Sequence, residues 1–294
     1  MQPLLYTGAH KVLFRSLLNG LERYKAYSRS QCDQHLKDPR YNRSTVVFSH
    51  LLQASHPKME RPLYTPVELC SESSLLIVAG SDTTSTCLAA TFFYLLHNPG
   101  ALSLVQNEID RNFQCSEDVR SGSRLSACQY LRACITESLR LSPPVGGLMA
   151  REVLTGGLEV DGHLFPKGVE IGTPHYALHH DEKYYPEPFL YKPERWLADE
   201  GPEVAKARSA FCAFSIGSRG CVGKTMAYQE LMIVMGRVLC EFEIKLDDRS
   251  ELQGRSERWK GCRQRADEYQ LYDTFSSKSL GPRVQFRPRR RAEL

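Results

Sequence analysis

A single long helix is the dominant element predicted for this chain, and few domain architectures can accommodate it. The helix begins at Thr65-Pro66-Val67-Glu68, a capping box with proline at the first helical position. Its end is predicted near His97, because Asn98-Pro99 cannot continue a helix. At 1.5 Å per residue, the helix measures roughly 48 Å, which is long enough to cross a whole domain.

The rest of the chain is mostly helical, with a few short strands after residue 150. Apolar periodicity predicts further helices over 1–30, 46–53, 101–112, 126–141 and 223–242. Asp161-Gly162 between short apolar runs predicts a hairpin, and Val169–Gly172 a third strand. A closing pair of strands is predicted at Tyr269–Phe275 and Arg283–Arg287, and residues 181–215 form an ordered meander without periodicity. The fold class is therefore mainly α with small β-sheets (α+β).

Composition is that of a globular protein rather than of a membrane or nucleic-acid-binding chain. The 294 residues, 41% hydrophobic and 24% charged, suffice for one large domain or two small ones. The net charge of +4 is mild, and much of it lies in the tail Arg287-Pro288-Arg289-Arg290-Arg291, so nucleic acid is not predicted as a partner. The ten cysteines show no CxxC pair and no secretory signal precedes them, which favours reduced thiols. No apolar run reaches membrane-spanning length.

The segment Phe214–Gly223 places Cys221 between glycines, after Arg219 and at the start of an apolar helix. A nearby positive charge and a helix N-terminus both favour a thiolate. Glycine lets the backbone approach a flat, bulky group closely. This pattern predicts a thiolate that binds the iron of haem, which needs one cysteine only. A zinc site would need partners, and His179, His180 and Cys212 have no recognised ligand spacing. The simpler alternative is a buried thiol at a glycine-rich turn.

Polar residues interrupt the long helix at Ala79-Gly80-Ser81-Asp82-Thr83-Thr84. Such residues are poor choices for a helix interior, and they predict a local widening of the helix. The Asp82 carboxylate and the Thr83 hydroxyl would then face a cavity, where they could relay protons. A kinked, exposed polar stretch is an equally good interpretation of this segment alone.

A third pattern is Glu137-Ser138-Leu139-Arg140, in which glutamate and arginine share one helix face and can pair. A surface ion pair is the usual explanation for such a spacing. Pro193-Glu194-Arg195-Trp196 could bring a second arginine to the same carboxylate. A buried Arg–Glu–Arg cluster would cost desolvation and fix the local geometry.

These four patterns occur in the order and at the spacings that are typical of the cytochrome P450 family, which the chain resembles over nearly its whole length. Stretches such as Ser142–Gly147 and Tyr176–His180 make it similar in particular to fungal members of secondary metabolism. The resemblance implies the C-terminal part of the cytochrome P450 fold, with its long central helix and its haem-binding cysteine loop.

The resemblance also implies roles for individual residues. Cys221 would be the proximal ligand of haem b (iron protoporphyrin IX), within a loop that includes Phe214, Gly217 and Gly223. Phe214 would pack near the sulfur, and Arg219 and Arg151 would contact haem propionates.

Two further groups of residues receive roles from the resemblance. Asp82 and Thr83 would form the catalytic acid–alcohol pair. Glu137, Arg140 and Arg195 would form a structural triad. Substrate would be lined by residues around Ser81, by Val145–Met149 and by the turn at Thr274-Phe275.

The front of the chain departs from the family pattern, because no membrane anchor or distal-face helices are recognisable before residue 60. We therefore expect residues 1–294 to form a partial cytochrome P450 domain. The resemblance implies a monooxygenase that oxidises a small, largely apolar secondary metabolite with O₂ and electrons from NADPH–cytochrome P450 reductase. It also implies the endoplasmic reticulum membrane, cytoplasmic face, although the chain itself shows no anchor or signal.

Two alternatives to the monooxygenase stay open. One is a truncated, non-catalytic remnant. The other is a haem isomerase or dehydratase that does not use O₂, against which Asp82 and Thr83 argue, because such an enzyme needs no proton relay.

Overall fold

The computed structural model describes residues 15–37, 47–54, 63–197, 201–247, 265, 267–279 and 281–289. The chain divides into two compact units, Met1–Ser81 and Asp82–Leu294. The helices are α1 Arg15–Lys37, α2 Val47–Gln53, α3 Pro66–His97, α4 Pro99–Asn112, α5 Ser123–Ser126, α6 Gln129–Leu141, α7 His175–His179, α8 Pro202–Ala210 and α9 Lys224–Glu241. The strands are β1 Arg151–Glu152, β2 Leu158–Val160, β3 His163–Phe165, β4 Glu170–Ile171, β5 Phe242–Leu246 and β6 Val284–Pro288.

Helix α3 begins where the capping box predicts. The Thr65 amide donates to Glu68 Oε2 at 2.7 Å, and the Glu68 amide donates to Thr65 Oγ1 at 3.3 Å, so both residues cap the helix reciprocally. In the first unit, α1 packs on the same helix, and the Tyr24 hydroxyl donates to the Ser74 carbonyl. Residues 1–14 of the predicted first helix lie outside the described residues.

The core of the second unit forms where α4, α6 and α9 pack together with the C-terminal half of α3. Its fully buried side chains come from all four helices: Leu95, Val105, Ile109, Leu131, Ile135, Leu231, Met235 and Leu239. Gly236 of α9 lets Val119, which follows the 3₁₀ turn Ser116–Asp118, pack closely against the helix, because a Cβ at position 236 would lie 2.9 Å from the Val119 methyl group. This core is the rigid base from which the loops of the candidate site extend.

The strands form three antiparallel pairs. The predicted hairpin β2–β3 is present, with Asp161 and Gly162 both in the left-handed region (φ 50° and 76°) that a two-residue turn requires. The predicted third strand pairs elsewhere, because β4 lies beside β1 and places Arg151 opposite Ile171. The sequence pattern did not predict β1, which has only two residues.

One of the two predicted closing strands is wrong: residues 284–288 form a strand, but residues 269–275 do not. Strand β6 pairs with β5, which follows α9 directly and places Ile244 opposite Phe286. Residues 269–275 instead fold back on themselves, with mutual hydrogen bonds between the backbones of Tyr272 and Lys278. Tyr269 and Leu271 are buried. Apolar residues alternate here as they would in a strand, but they belong to a loop whose side chains pack into the core.

The meander contains more regular structure than its sequence predicts. Helix α8 lies within it, and a short 3₁₀ turn spans Pro193–Trp196. The Tyr185 ring is fully buried, and its hydroxyl donates to the Ala207 carbonyl at 2.8 Å, which ties the meander to α8. Aromatic packing, rather than periodic apolar residues, therefore orders this segment.

Helix α3 meets the length and composition of a membrane-spanning helix (mean hydropathy 1.2), alone among the described helices. The core helix of a globular protein passes the same test. The C-terminal half of α3 contributes Cys87, Ala90 and Leu95 to the core of the second unit, where all three are buried. Those core residues account for the apolar character of that half of the helix.

Candidate active site

The cysteine loop is closed by backbone hydrogen bonds. The Cys221 amide donates to the Phe214 carbonyl at 2.8 Å, and the Gly220 amide donates to the Gly217 carbonyl at 3.0 Å. Ser215 (φ 56°) and Gly217 (φ 70°) adopt the left-handed conformation that reverses the chain. The loop therefore holds Cys221 in a defined place, immediately before α9.

The Cys221 thiol is exposed at the end of this loop. A Cβ at position 223 would lie 3.8 Å from the Cys221 Sγ, so glycine there leaves one side of the sulfur free of side-chain atoms. Cys221 precedes Lys224, the first residue of α9, by three positions.

Aromatic packing anchors the loop to the core. The Phe214 ring lies 5.3 Å from the Tyr228 ring of α9, and the Tyr228 hydroxyl lies 3.1 Å from Thr136 Oγ1 of α6. The guanidinium of Arg132 stacks 4.3 Å above the Tyr228 ring. The base of the loop thus rests on two core helices, and any motion of Phe214 would disturb this stack.

The structure brings Glu137, Arg140 and Arg195 together in a buried cluster. The Glu137 carboxylate accepts hydrogen bonds from the Arg140 Nη2 at 2.8 Å and from the Arg195 Nε at 3.0 Å. Trp196 Nε1 and the Lys192 amide donate to the same carboxylate at 2.8 and 3.1 Å. Glu137 and Arg140 have no exposed surface, so the cluster is not the surface ion pair that was the alternative.

Sequence reasoning missed two donors of this cluster, the Trp196 side chain and the Lys192 amide. Trp196 follows Arg195 directly in the segment Pro193-Glu194-Arg195-Trp196. Because its indole NH is a hydrogen-bond donor, its place beside a candidate ion-pair residue could have predicted this contact. The backbone amide of Lys192 carries no such signal, because only the course of the meander brings it to Glu137.

The predicted widening of α3 at Asp82 and Thr83 is wrong, because the helix is α-helical throughout Pro66–His97. The neighbouring serine hydroxyls return hydrogen bonds to carbonyls three residues earlier, as Ser85 does to Asp82 at 3.1 Å. Their polar groups are therefore satisfied without opening the helix. Asp82 is exposed and Thr83 is half-buried.

The loop at residues 273–279 contacts α3 and the turn after α6, next to two of the segments predicted to line the substrate site. The Ser277 amide donates to the Pro144 carbonyl at 2.7 Å, and Thr86 Oγ1 donates to the Ser277 carbonyl at 3.3 Å. The Ser276 hydroxyl lies 3.5 Å from Asp82 Oδ2. Phe275, at the tip of the same loop, is 83% exposed. The helix, the turn after α6 and this loop therefore share one edge.

The two arginines that the resemblance assigns to propionates are both exposed. Arg219 lies in the 3₁₀ turn Gly217–Arg219 of the cysteine loop. Arg151 lies in β1, where its Nη1 donates to the Ala150 carbonyl at 2.8 Å. Either guanidinium can bind an anionic group at the surface, and without such a group neither arginine is a buried, unpaired charge.

These residues fit a single-thiolate haem site. Among the described residues, no group of three or more His, Cys, Asp and Glu side chains could hold a metal ion, so the loop presents one sulfur rather than a ligand cage. The nine cysteines within the described residues are free thiols. Ile216 and Val222 are 73% and 97% exposed beside the sulfur, which suits an apolar, flat partner.

Known proteins resemble this chain over most of its length. The family model for cytochrome P450 matches residues 7–271. The chain is 44% identical over 282 residues to the cytochrome P450 monooxygenase apf7 of Gibberella fujikuroi, covering 91% of this chain and 52% of that protein. It is 38% identical over 293 residues to the cytochrome P450 monooxygenase AKT7 of Alternaria alternata, covering 97% and 56%.

Among solved structures, the crystal structure of a cytochrome P450 (CYP102L1) matches with a TM-score of 0.71 at 21% identity. The match covers 91% of this chain and 56% of that one, and it supports the fold alone. This chain spans about half the length of the curated relatives apf7 and AKT7. The family-model match and these identities show that the chain belongs to the cytochrome P450 family, whose members depend on haem b.

Proposed function

We propose that residues 1–294 are the part of a cytochrome P450 domain that carries the haem ligand, in a haem-thiolate monooxygenase of fungal secondary metabolism. The observation that carries this proposal is the exposed Cys221 thiol just before α9. A hydrogen bond from the Cys221 amide to the Phe214 carbonyl holds this residue in place. The names of the relatives support the reaction class. The substrate is a small, largely apolar metabolite, and the proposed location is the cytoplasmic face of the endoplasmic reticulum.

Residues of the cysteine loop hold the cofactor. Cys221 Sγ would bind the iron, and the absence of side chains at Gly217 and Gly223 would leave room for the porphyrin. Arg219 and Arg151 would pair with the propionates, and Phe214 would pack near the sulfur. Haem bound in this way supplies the oxygen-activating centre, and a thiolate ligand favours cleavage of the O–O bond.

Proton handling is assigned to Asp82 and Thr83, which lie next to each other on α3. Asp82 Oδ2 exchanges protons with solvent, because the residue is exposed and faces the Ser276 hydroxyl. Thr83 Oγ1 passes a proton inward from its half-buried position on the same helical turn. The loop that carries Phe275 lies beside this edge, where the Ser276 hydroxyl is 3.5 Å from Asp82 Oδ2.

Electrons reach the site from NADPH through the partner reductase, for which a basic surface near the cysteine loop is suited. A cavity of about 240 Å³ lies at the start of α9, and its lining includes Arg132, Lys224 and Tyr228. A positive surface there attracts an acidic partner and raises the rate of association.

The proposal is tested on the full chain reconstituted with haem, reduced and exposed to carbon monoxide. We expect a thiolate-type Soret band for the wild type and its loss in Cys221→Ser. Cys115→Ser is the matched control, because Cys115 is also an exposed free thiol. A wild type without the thiolate band, or a Cys221→Ser variant that keeps it, overturns the proposal.

A second experiment addresses the proton relay. Thr83→Ala and Asp82→Asn are expected to keep the Soret band but to consume O₂ and NADPH without matching product. Ser85→Ala is the control, since its hydroxyl bonds back to the Asp82 carbonyl within the helix. Unchanged coupling of O₂ use to product in both variants would remove Asp82 and Thr83 from the proposal.

A further inference from the structure

His179, the last residue of α7, joins two distant segments of the second unit. Its side chain is fully buried, and its Nδ1 lies 3.1 Å from the Arg140 carbonyl. In return, the Arg140 Nη1 donates to the His179 carbonyl at 2.7 Å. This reciprocal pair connects the histidine to the Glu137–Arg140 end of α6.

The other ring nitrogen faces the segment that leads into the cysteine loop. The Cys212 amide donates to His179 Nε2 at 3.0 Å. Since Nε2 accepts this hydrogen bond, the ring proton is on Nδ1, which donates to the Arg140 carbonyl. The imidazole is neutral, because burial and, to a smaller extent, the Arg140 charge together lower the pKa of His179 to about 3. Burial raises the pKa of the Cys212 thiol, which lies 3.6 Å from the same nitrogen and stays protonated.

A short series of contacts runs from Cys212 to the candidate iron ligand. The Ser215 amide donates to the Cys212 carbonyl at 2.7 Å, and the Cys221 amide donates to the Phe214 carbonyl at 2.8 Å. The Phe211 ring also stacks on the His179 ring, with centroids 5.4 Å apart and planes 7° from parallel. His179 thus fixes the start of the loop through a hydrogen bond and a stacked ring.

We propose that His179 is a positioning residue for the Cys221 thiolate: its neutral imidazole links the Arg140 carbonyl to the Cys212 amide and so sets the place where the loop presents its sulfur. This inference rests on the proposed function in one respect, the binding of iron by Cys221. The link from His179 to Cys212 stands independently of it.

Three substitutions of His179 test the two hydrogen bonds of its ring separately. His179→Gln places an oxygen acceptor near the Nε2 position, whereas His179→Asn places an amide donor near the Nδ1 position. His179→Phe keeps the volume and the stacking on Phe211 and removes both hydrogen bonds. His180→Gln is the control, because the His180 Nδ1 bonds to the Tyr176 carbonyl within its own helix.

The first measurement is amide hydrogen exchange of residues 211–221 in the full chain without haem. We expect about tenfold faster exchange at Cys212 in His179→Phe, since its amide loses a buried acceptor. His179→Gln should remain close to the wild type, and His179→Asn should resemble the phenylalanine variant. Equal exchange in the phenylalanine variant and the wild type, or rescue by Asn and not by Gln, overturns the inference.

The second measurement is the fraction of the carbon monoxide complex with a thiolate-type Soret band. We expect this fraction to fall in His179→Phe, to recover in His179→Gln and to be unaffected in His180→Gln. A wild type that lacks the band contradicts the proposed function, and the exchange measurement then still tests the link. A wild type that has the band, together with an unchanged His179→Phe variant, contradicts the positioning role alone.

Discussion

Glu137 shows how a single charged residue can organise a large part of the chain. Its carboxylate has no exposed surface, and it accepts hydrogen bonds from Arg140, Arg195, Trp196 and the Lys192 amide. Burial of the charges is costly, but here two cations and two neutral donors satisfy the carboxylate oxygens. The remaining Arg140 donors reach three backbone carbonyls, so the cluster fixes the course of the meander.

Glu137→Gln removes the negative charge and leaves two arginines facing a neutral amide. We expect the free energy of unfolding of the full chain to fall by about 3–5 kcal/mol, because one partner of a buried ion pair is lost. Glu194→Gln is the matched control, since Glu194 is exposed and accepts a hydrogen bond from the Tyr130 hydroxyl. That control should cost less than about 1 kcal/mol. Equal losses in urea titrations of the two variants would contradict this account.

His179 predicts a specific dependence of stability on pH. Its folded pKa of about 3 lies below the ordinary value of 6.5, so the folded state binds fewer protons than the unfolded state. Stability is therefore lost as the pH falls below 6.5, by about 1.4 kcal/mol per pH unit until the folded pKa is reached. Burial is the largest cause of this lowered pKa, and the neighbouring Arg140, His175 and His180 contribute smaller parts of it.

The measurement is urea unfolding of the wild type and of His179→Gln at about pH 7.5 and pH 4.5. Because glutamine does not titrate, the variant should lose about 2–3 kcal/mol less than the wild type over this interval. The carboxylates contribute to both proteins alike, and the difference reports His179. A loss of the same size in both proteins would show that His179 is not the titrating group.

At the scale of the elements, α6 illustrates a helix whose start is stabilised by another helix. Cys128 at its N-cap makes no side-chain cap hydrogen bond. The Glu108 carboxylate of α4 instead accepts from the Tyr130 and Leu131 amides, both at 2.8 Å. A carboxylate at this end also interacts favourably with the helix dipole. Two amides that local sequence leaves without an acceptor are thus satisfied by tertiary structure.

Glu108→Ala should therefore destabilise the chain by about 1–2 kcal/mol, the loss typical of an N-terminal cap. Glu230→Ala on the exposed face of α9 is the control and should change stability by less than about 0.5 kcal/mol. Thermal unfolding followed by far-UV circular dichroism compares the two. Equal melting temperatures of the two variants would mean that water satisfies the amides at the start of α6 as well as Glu108 does.

Whole-molecule stability should depend on the cofactor, because a ligand that binds only the folded chain stabilises it. At a haemin concentration of 100 times the dissociation constant, the gain is about 2.7 kcal/mol. We expect the melting temperature of the full chain to rise with haemin, and the rise to be strongly reduced in Cys221→Ser. Cys115→Ser should respond like the wild type. A rise of equal size in Cys221→Ser would indicate binding that does not use the thiol.

Much of the architecture follows from local patterns that need no tertiary context. The capping box at Thr65 and the Asn98-Pro99 stop delimit α3, and Asp161-Gly162 specifies the β2–β3 turn. The closing strand was misplaced because Tyr269 and Leu271 alternate like strand residues although they pack as a loop. The widening at Asp82 was wrong because serine hydroxyls bond back within the helix.

By itself, the amino-acid sequence determined the long helix, the hairpin and the family, because capping, turn preference and residue order act over short distances along the chain. Tertiary structure alone decided that β5 pairs with β6, that Glu108 caps α6 and that His179 joins Arg140 to Cys212. Such contacts join residues far apart in sequence, and they form only where packing of the core brings the backbone groups together.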